Sequence, residues 1–272
     1  MKALPFEWGP HLEGGPLFLG ILNLTPDSFS DGGRFIDPSA ALGQARSLVA
    51  AGARMLDLGA ESTRPGAAPV DEATEWARLE PVLALLAVAM PHIPLSLDTR
   101  HAAVAEQGLA AGASVLNDVG GFADPAMLDL ARRSDCGLIA MRSRRAGNGF
   151  LMPPYDDPAP KDARAALDEL RGVRDRLLAA GIGRERVLLD PGFGFGTTYA
   201  EDRALWEALP GLPAALAWPA EGFCLGVSRK RFLAARAGMP GLPPAGRDAL
   251  TAAAHGEART WGYRVFRTHA IG

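Results

Sequence analysis

The stretch "PLFLGILNLTPDSFSDGGRF", Pro16–Phe35, changes texture at Asn23. Before it, Leu17–Leu22 form a short, nearly unbroken apolar run. After it come Thr25, Asp27, Ser28, Ser30 and Asp31, with Gly32 and Gly33. A continuous apolar run of this length reads as a strand buried on both faces, as in a parallel sheet. Seven more runs repeat the pattern: "RMLDLGA" (54–60), "IPLSLDT" (93–99), "SVLNDV" (114–119), "GLIAM" (137–141), "RVLLDPG" (186–192), "GFCLGVS" (222–228) and "YRVFRTH" (263–269). Between them lie longer stretches with helical spacing, such as "DPSAALGQARSLVAAGA" (37–53) and "DEATEWARLEPVLALLAVAM" (71–90). In the first of these Leu42, Ala45, Leu48 and Val49 share a face, and Gly52 suits a C-cap. Alternating strands and helices imply a parallel sheet. Eight such units in roughly 250 residues predict a single (β/α)8 TIM barrel over residues 1–272. An open doubly wound sheet is the competing arrangement, but no glycine-rich dinucleotide fingerprint follows the first strand.

In such barrels, chemistry sits at the C-terminal ends of the strands. The first run closes on Asn23 and the second passes Asp57 into "GAESTRPGA"; the others close on Asp98, on Asn117 and Asp118, on Met141 and Arg142, on Asp190, on Ser228, Arg229 and Lys230, and on Arg267, Thr268 and His269. Carboxylates and amides come mostly from the earlier strands and cations from the last two. That asymmetry predicts a bipolar ligand, a hydrogen-bonding ring at one side and an anion at the other. Each position also has a local reading: Asp98 as a helix N-cap, Asn117 in a left-handed turn, Asp190-Pro191-Gly192 as a tight turn, "SRKR" as a solvated first helical turn, Arg267 and His269 as an exposed chain end, and "RSRRAGNG" as a flexible solvated loop. Their joint occurrence at eight strand ends favours a site.

Composition sets the class. The 272 residues carry a net charge of −3 and 48% hydrophobic content, ordinary for a globular protein. No run approaches the ~20 apolar residues of a membrane span. The first residues, "MKALPFEWGP", lack the apolar core of a signal peptide. Cys136 and Cys224 give no disulfide framework, which predicts a cytoplasmic setting. The slightly acidic balance argues against a nucleic-acid partner. Lysine occurs only at positions 2, 161 and 230 and asparagine only at 23, 117 and 148, so two of three asparagines and one of three lysines fall at strand ends.

The motifs "NLTPDSFSDGG", "DLGAESTRPGA", "SLDTR", "LNDVGG", "DPGFGFG" and "GVSRKRF", in this order, resemble those of the dihydropteroate synthases, folate-pathway enzymes of the pterin-binding family. The resemblance runs from about residue 15 to 269. It implies condensation of 6-hydroxymethyl-7,8-dihydropterin pyrophosphate with p-aminobenzoate to give 7,8-dihydropteroate and pyrophosphate. It implies that Asp98, Asn117, Asp190 and Lys230 hold the pterin, and Met141 and Phe195 are further substrate-binding candidates. Thr63, Arg64, Arg267 and His269 would hold the pyrophosphate, and Asn23 would ligate Mg²⁺. Ser228, Arg229 and the 62–66 loop would flank the aminobenzoate. Lys230, Asp98, Arg267 and His269 are the catalytic candidates. The loops Thr25–Ile36 and Ser62–Val70 are expected to order around ligand, with Pro26, Phe29 and Pro65 as walls for the aminobenzoate ring.

The chain departs from the family pattern in places. A lysine common after "DPGFGFG" is Thr197, the strand-five histidine is replaced in "IAMRS", and an aspartate after the final histidine is Ala270. These departures keep open an alternative, a pterin-binding paralogue with weak or no synthase activity. No residues remain for a helix after the eighth strand. The barrel flank beside it is therefore expected to expose apolar surface, and the homodimer that family members form through their last helices is in question.

Overall fold

The computed structural model describes residues 6–25, 37–61, 69–146, 149–150 and 162–271. Eight parallel strands form the barrel: β1 (Leu17–Asn23), β2 (Met55–Gly59), β3 (Leu95–Asp98), β4 (Val115–Asp118), β5 (Gly137–Met141), β8 (Val187–Asp190), β9 (Cys224–Leu225) and β10 (Val265–Thr268). A hairpin of β6 (Arg145–Ala146) and β7 (Gly149–Phe150) interrupts the series outside the barrel. Hydrogen bonding runs in the order β8-β5-β4-β3-β2-β1-β10-β9. The parallel bridge Leu189↔Phe223 brings β8 to the start of β9 and closes the ring.

Helices α2 (Pro38–Ala50), α3 (Glu72–Ala89), α4 (Ala102–Ala110), α5 (Pro125–Arg133), α6 (Arg164–Ala179), α7 (Tyr199–Ala208), α8 (Leu212–Leu216), α9 (Arg231–Arg236) and α10 (Asp248–Thr260) follow the strands. Their starts are written locally. Asp37 and Asp124 cap α2 and α5 directly before a proline, Asp71 caps α3, and Thr198 and Glu201 form a reciprocal capping box on α7.

The period-2 alternation of the strands explains the barrel's two layers. Leu22, Leu56, Leu58, Leu97, Leu116, Leu138, Leu189 and Phe266 are fully buried between sheet and helices. The opposite parity forms a separate apolar cluster inside the ring: Leu17, Leu19, Met55, Val115, Ile139, Leu188, Cys224 and Val265. One step further along each strand the inner series turns polar: Met55 gives way to Asp57, Val115 to Asn117, Leu188 to Asp190 and Val265 to Arg267. The bottom half of the ring is thus a packed plug and the top half a polar floor. A short helix absent from the sequence reading, α1 (Trp8–Leu12), seals the lower end. Trp8 and Leu12 join the inner cluster, and Trp8 Nε1 donates to the Arg186 carbonyl at 2.9 Å. Five residues containing Gly9 and Pro10 carry too little periodicity to be read as a helix.

β10 is the last regular element among the described residues. The expected bare flank beside it is not found there. Gly20 on β1 lets α2 approach closely, since a Cβ at that position would stand 3.1 Å from Leu48 Cβ. Phe18 is half-buried against His255 of α10 and Phe266 of β10. Ile271 folds back beside Gly52 at the end of α2. The strongly exposed large apolar side chains among the described residues, Val88, Leu178 and Met239, lie on none of these elements. Cys136 and Cys224 are buried and unpaired. No helix is long and apolar enough to cross a membrane, among the described residues.

Candidate active site

The polar floor is organised around Asp57, whose side chain is fully buried. It accepts from Ser96 Oγ at 2.5 Å, from Asn117 Nδ2 at 3.2 Å and from Arg267 Nε at 2.6 Å. Arg267 reaches further, its Nη2 donating to Asp98 Oδ2 at 2.7 Å. One guanidinium therefore spans two carboxylates across the first three units of the ring. Register explains the convergence: Asn23 pairs with Gly59, Gly59 with Asp98, and Asp98 with Asn117, so the row climbs the mouth in step. Gly59 leaves room in that row, where a Cβ would stand 3.3 Å from Asp98 Cβ. Asp57 was noted where its run passes into "GAESTRPGA" but was given no role in the motif reading, because it lies two residues before its strand's end. The inward parity that it shares with Met55 was the available signal.

Across the mouth stands Asp190. Its Oδ1 accepts from the Gly192 amide at 2.8 Å, so the tight-turn reading holds. Its Oδ2 faces Gly226, where a Cβ would approach to 3.0 Å. The aspartate thus caps its own turn and also faces the mouth. The loop that follows carries Gly192, Gly194 and Gly196, each at positive φ. Phe195 from this loop lies under the Lys230 ammonium, with Nζ 4.2 Å from the ring centroid. Lys230 precedes α9 and is half-buried, not the fully solvated first-turn residue of the local reading. Met141 is buried at the end of β5, in register with Asp190.

At the β9–β10 side, Ser228 Oγ lies 3.0 Å from His269 Nδ1 and accepts from the His269 amide at 3.1 Å. Arg229, the residue between Ser228 and Lys230, has φ +58°, and its guanidinium pairs with both oxygens of Asp248 at 2.7 and 2.8 Å. Asp98 does not cap α4, whose N-cap is His101. Instead the residues after it brace the neighbouring loop. Arg100 forks onto Glu61 at 2.8 and 3.0 Å, and Glu61 also accepts from the Val70 amide at 3.1 Å. Glu61 and Val70 are thereby joined to each other and to Arg100. Thr63, Arg64, Pro26, Phe29 and Pro65 themselves lie outside the described residues, as do most of the two loops expected to order around ligand.

Burial dominates the electrostatics. It pushes the Asp98 carboxyl well above the usual range, Asp57 nearby adding to the rise and Arg267 opposing it. Burial raises Asp190 to about 6, against the pull of the Gly192 amide and Lys230. Lys230 is lowered to about 8, with Asp202 and Asp190 opposing that fall. His269 is lowered to about 3 by burial and by Arg267, so it is neutral at physiological pH. At pH 7 the mouth offers an ionised Asp190, a cationic Lys230 and a neutral imidazole: acceptors on one side, donors on the other. No group of three or more His, Cys, Asp or Glu side chains is placed to hold a metal ion among the described residues.

Residues 19–269 match the family model of pterin-binding enzymes. The chain belongs to the pterin-binding enzyme family. It is 41% identical over 264 residues to a dihydropteroate synthase of Mycobacterium leprae, covering 93% of this chain and 88% of that one. Among solved structures it is similar to Xanthomonas albilineans dihydropteroate synthase with 4-aminobenzoic acid, at 36% identity and TM-score 0.81, covering 95% of this chain and 89% of that one. It is likewise similar to Burkholderia cenocepacia dihydropteroate synthase complexed with 7,8-dihydropteroate, at 35% identity and TM-score 0.78 over 95% and 88% of the two chains.

The departures from the family motifs sit in networks of their own. Thr197 Oγ1 donates to the buried Asp202 at 2.7 Å and accepts from the Gly194 amide at 3.1 Å. Ala270 contributes its carbonyl, which accepts from Thr268 Oγ1 at 2.7 Å. Arg142, in the strand-five motif, is buried and fully engaged. That corrects the reading of "RSRRAGNG" as a solvated loop, at least through Arg144. An arginine two residues from a second arginine looks solvated in sequence, and only the fold supplies the carbonyls that bury it.

Proposed function

We propose that this protein has dihydropteroate synthase activity, transferring the pterin-methyl group of 6-hydroxymethyl-7,8-dihydropterin pyrophosphate to p-aminobenzoate in folate biosynthesis. The observation that carries the reading is the single mouth on which Asp98, Asn117, Asp190, Lys230 and Arg267 converge. The ionised Asp190 is acceptor-only and complements the pterin's amino and ring N–H edge. Asn117 offers an acceptor and a donor to the same ring. Lys230 and Phe195 stand beside it, with Met141 as an apolar wall.

Arg267 keeps Nε on Asp57 and can exchange its bond to Asp98 for a diphosphate oxygen. His269, neutral and oriented by Ser228, is suited to donate or accept at that end without adding charge. Thr63 and Arg64 are proposed for the same diphosphate, and Ser228 and Arg229 for the rim around aminobenzoate. The carbon–oxygen bond to the diphosphate breaks and its electron pair leaves with pyrophosphate. The aniline nitrogen, uncharged at neutral pH, then bonds to the freed methylene carbon and loses a proton. No general base is needed to expose its lone pair, so positioning and charge stabilisation carry the rate. Magnesium takes oxygen ligands and keeps several waters beside phosphates, a donor set that a single Asn23 amide oxygen fits. Bound with the diphosphate there, Mg²⁺ would offset charge on the departing oxygens.

Pyrophosphate release, measured with the pterin pyrophosphate and p-aminobenzoate together, tests the proposal. Release that requires both substrates supports it. Pterin binding without release would instead identify a pterin-binding paralogue lacking synthase activity. We further propose a cytoplasmic location, supported by the unpaired buried cysteines, and a homodimer, supported by the family resemblance. Light scattering tests the latter.

A further inference from the structure

The loop after β8 follows Asp190 and carries Phe195; its Phe193 is buried against Trp206 and Phe232, and its backbone is held from outside. The segment after β5 does this through carbonyl groups. Arg142 Nε donates to Pro191 O at 2.8 Å and its Nη2 to Gly192 O at 2.8 Å. Arg144 Nη1 donates to Gly196 O at 3.3 Å, and the Arg144 amide to Phe195 O at 3.4 Å. Both guanidiniums share Glu169 of α6, at 2.9 Å from Arg142 and 2.7 Å from Arg144. The Arg142 side chain is 1% exposed.

The fit requires glycine on the other side. A Cβ on Gly192 would stand 1.9 Å from Arg142 O, and one on Gly196 would stand 2.5 Å from Arg144 Cβ. The loop therefore lies flush on the β5 segment. The Arg142 amide also bonds Asp190 O at 3.0 Å, continuing the β5–β8 ladder into it.

We infer that Arg142, held by Glu169, is a positioning residue for pterin binding: it clamps the Pro191 and Gly192 carbonyls and so sets the Asp190 carboxylate and the Phe195 ring. This rests on the proposed pterin site and adds to it a residue at which the chain departs from the family motif. Arg142 touches no proposed substrate position, and its action runs through the backbone. A buried arginine that bridges two carbonyls and a carboxylate has a fixed fork that lysine cannot reproduce. Its charge also adds to the field at Asp190, together with Lys230 and Arg267, while the Gly192 amide bonds it and Met141, Cys224 and Gly226 line the strands around it.

The test is calorimetric titration of 6-hydroxymethylpterin into the wild-type protein, Arg142→Met and Arg142→Lys from pH 5 to 8, beside thermal unfolding of each. The expected result is a loss of roughly 10- to 100-fold in pterin affinity for Arg142→Met at pH 7. The pH below which binding weakens should also move upward, because a positive neighbour of Asp190 is gone. Arg142→Lys should restore that pH but only part of the affinity. Should Arg142→Met fail to fold, Arg142→Lys against wild type carries the comparison, with reduced affinity at an unchanged pH break expected. Unfolding at lower temperature with affinity and pH break both unchanged in the folded variants would make Arg142 structural and overturn the inference. Absence of pterin binding by the wild type would overturn the site reading instead, and the inference with it.

Discussion

Asp190→Asn should separate binding from stability and move them in different directions. The asparagine oxygen can keep the bond from the Gly192 amide, now 2.8 Å from Asp190 Oδ1. Its NH₂ then replaces Oδ2 on the side facing the mouth and points a donor at the pterin's donors. Losing a charge-assisted bond and gaining a donor–donor clash costs roughly 2–4 kcal/mol. That is a rise in Kd of roughly 30- to 900-fold.

Stability runs the other way. Burial raises the Asp190 carboxyl from its ordinary value of 3.8 to about 6. A raised folded pKa means that the folded state holds the proton more tightly than the unfolded chain. Stability is therefore lost as pH rises from about 4 to about 6, by about 3 kcal/mol at most. The neutral amide removes that penalty and also forgoes the attraction to Lys230. The variant should unfold at the wild-type temperature or up to about 8 °C higher at pH 7.5. Calorimetry with a pterin lacking phosphates, paired with thermal unfolding, measures both. Wild-type affinity should also fall about tenfold per pH unit below pH 6, whereas the variant's stays flat. An unchanged Kd, or a variant that unfolds well below wild type, would refute the argument by making Asp190 a scaffold residue.

Arg267→Ala should weaken pterin pyrophosphate more than pterin without phosphates, and it should lower the unfolding temperature because Asp57 is left buried without its cation. Removing one partner of such a pair costs about 3–5 kcal/mol, and equal losses for both ligands would place Arg267 in the scaffold alone. Asn23→Ala should raise the Mg²⁺ concentration that gives half-maximal pyrophosphate release, and an unchanged Mg²⁺ titration would remove Asn23 as a ligand. Aminobenzoate should bind detectably only with Mg²⁺ and pyrophosphate present; comparable affinity without them would mean a pre-formed pocket. His255→Phe tests acid stability. Burial lowers His255 to about 4 and its Nε2 has no hydrogen-bond partner. The unfolded chain therefore binds the extra proton below about pH 6.5, and wild-type stability falls from there toward pH 4. The variant's advantage in unfolding free energy should accordingly grow to about 2 kcal/mol by pH 5, and a constant difference between pH 7 and pH 5 would contradict this.

Most of the barrel was legible in the sequence because each apolar run and each helix start is a local signal. Short continuous apolar runs marked the strands, Asp37, Asp71 and Asp124 sit at helix starts, and a polar residue closes each run or follows it directly. The same locality marked Asp98, Asn117, Asp190, Lys230 and Arg267, which the fold does bring to one mouth. Three things came only from the tertiary structure. Asp57 emerged as the hub of the floor because hydrogen bonds from β3, β4 and β10 meet on it, and no local window contains all three partners. Arg229 turned to Asp248, and Arg142 turned inward to the Pro191 and Gly192 carbonyls. Where a long cationic side chain points depends on which acceptors distant segments place within its reach. The sequence determines which residues face the barrel's axis, since alternation is a property of a single strand. Which of their charges pair, and which remain open to a ligand, was decided only when closure of the sheet set Arg267 against Asp57 and Asp98, because ion pairing depends on distance in space and not along the chain.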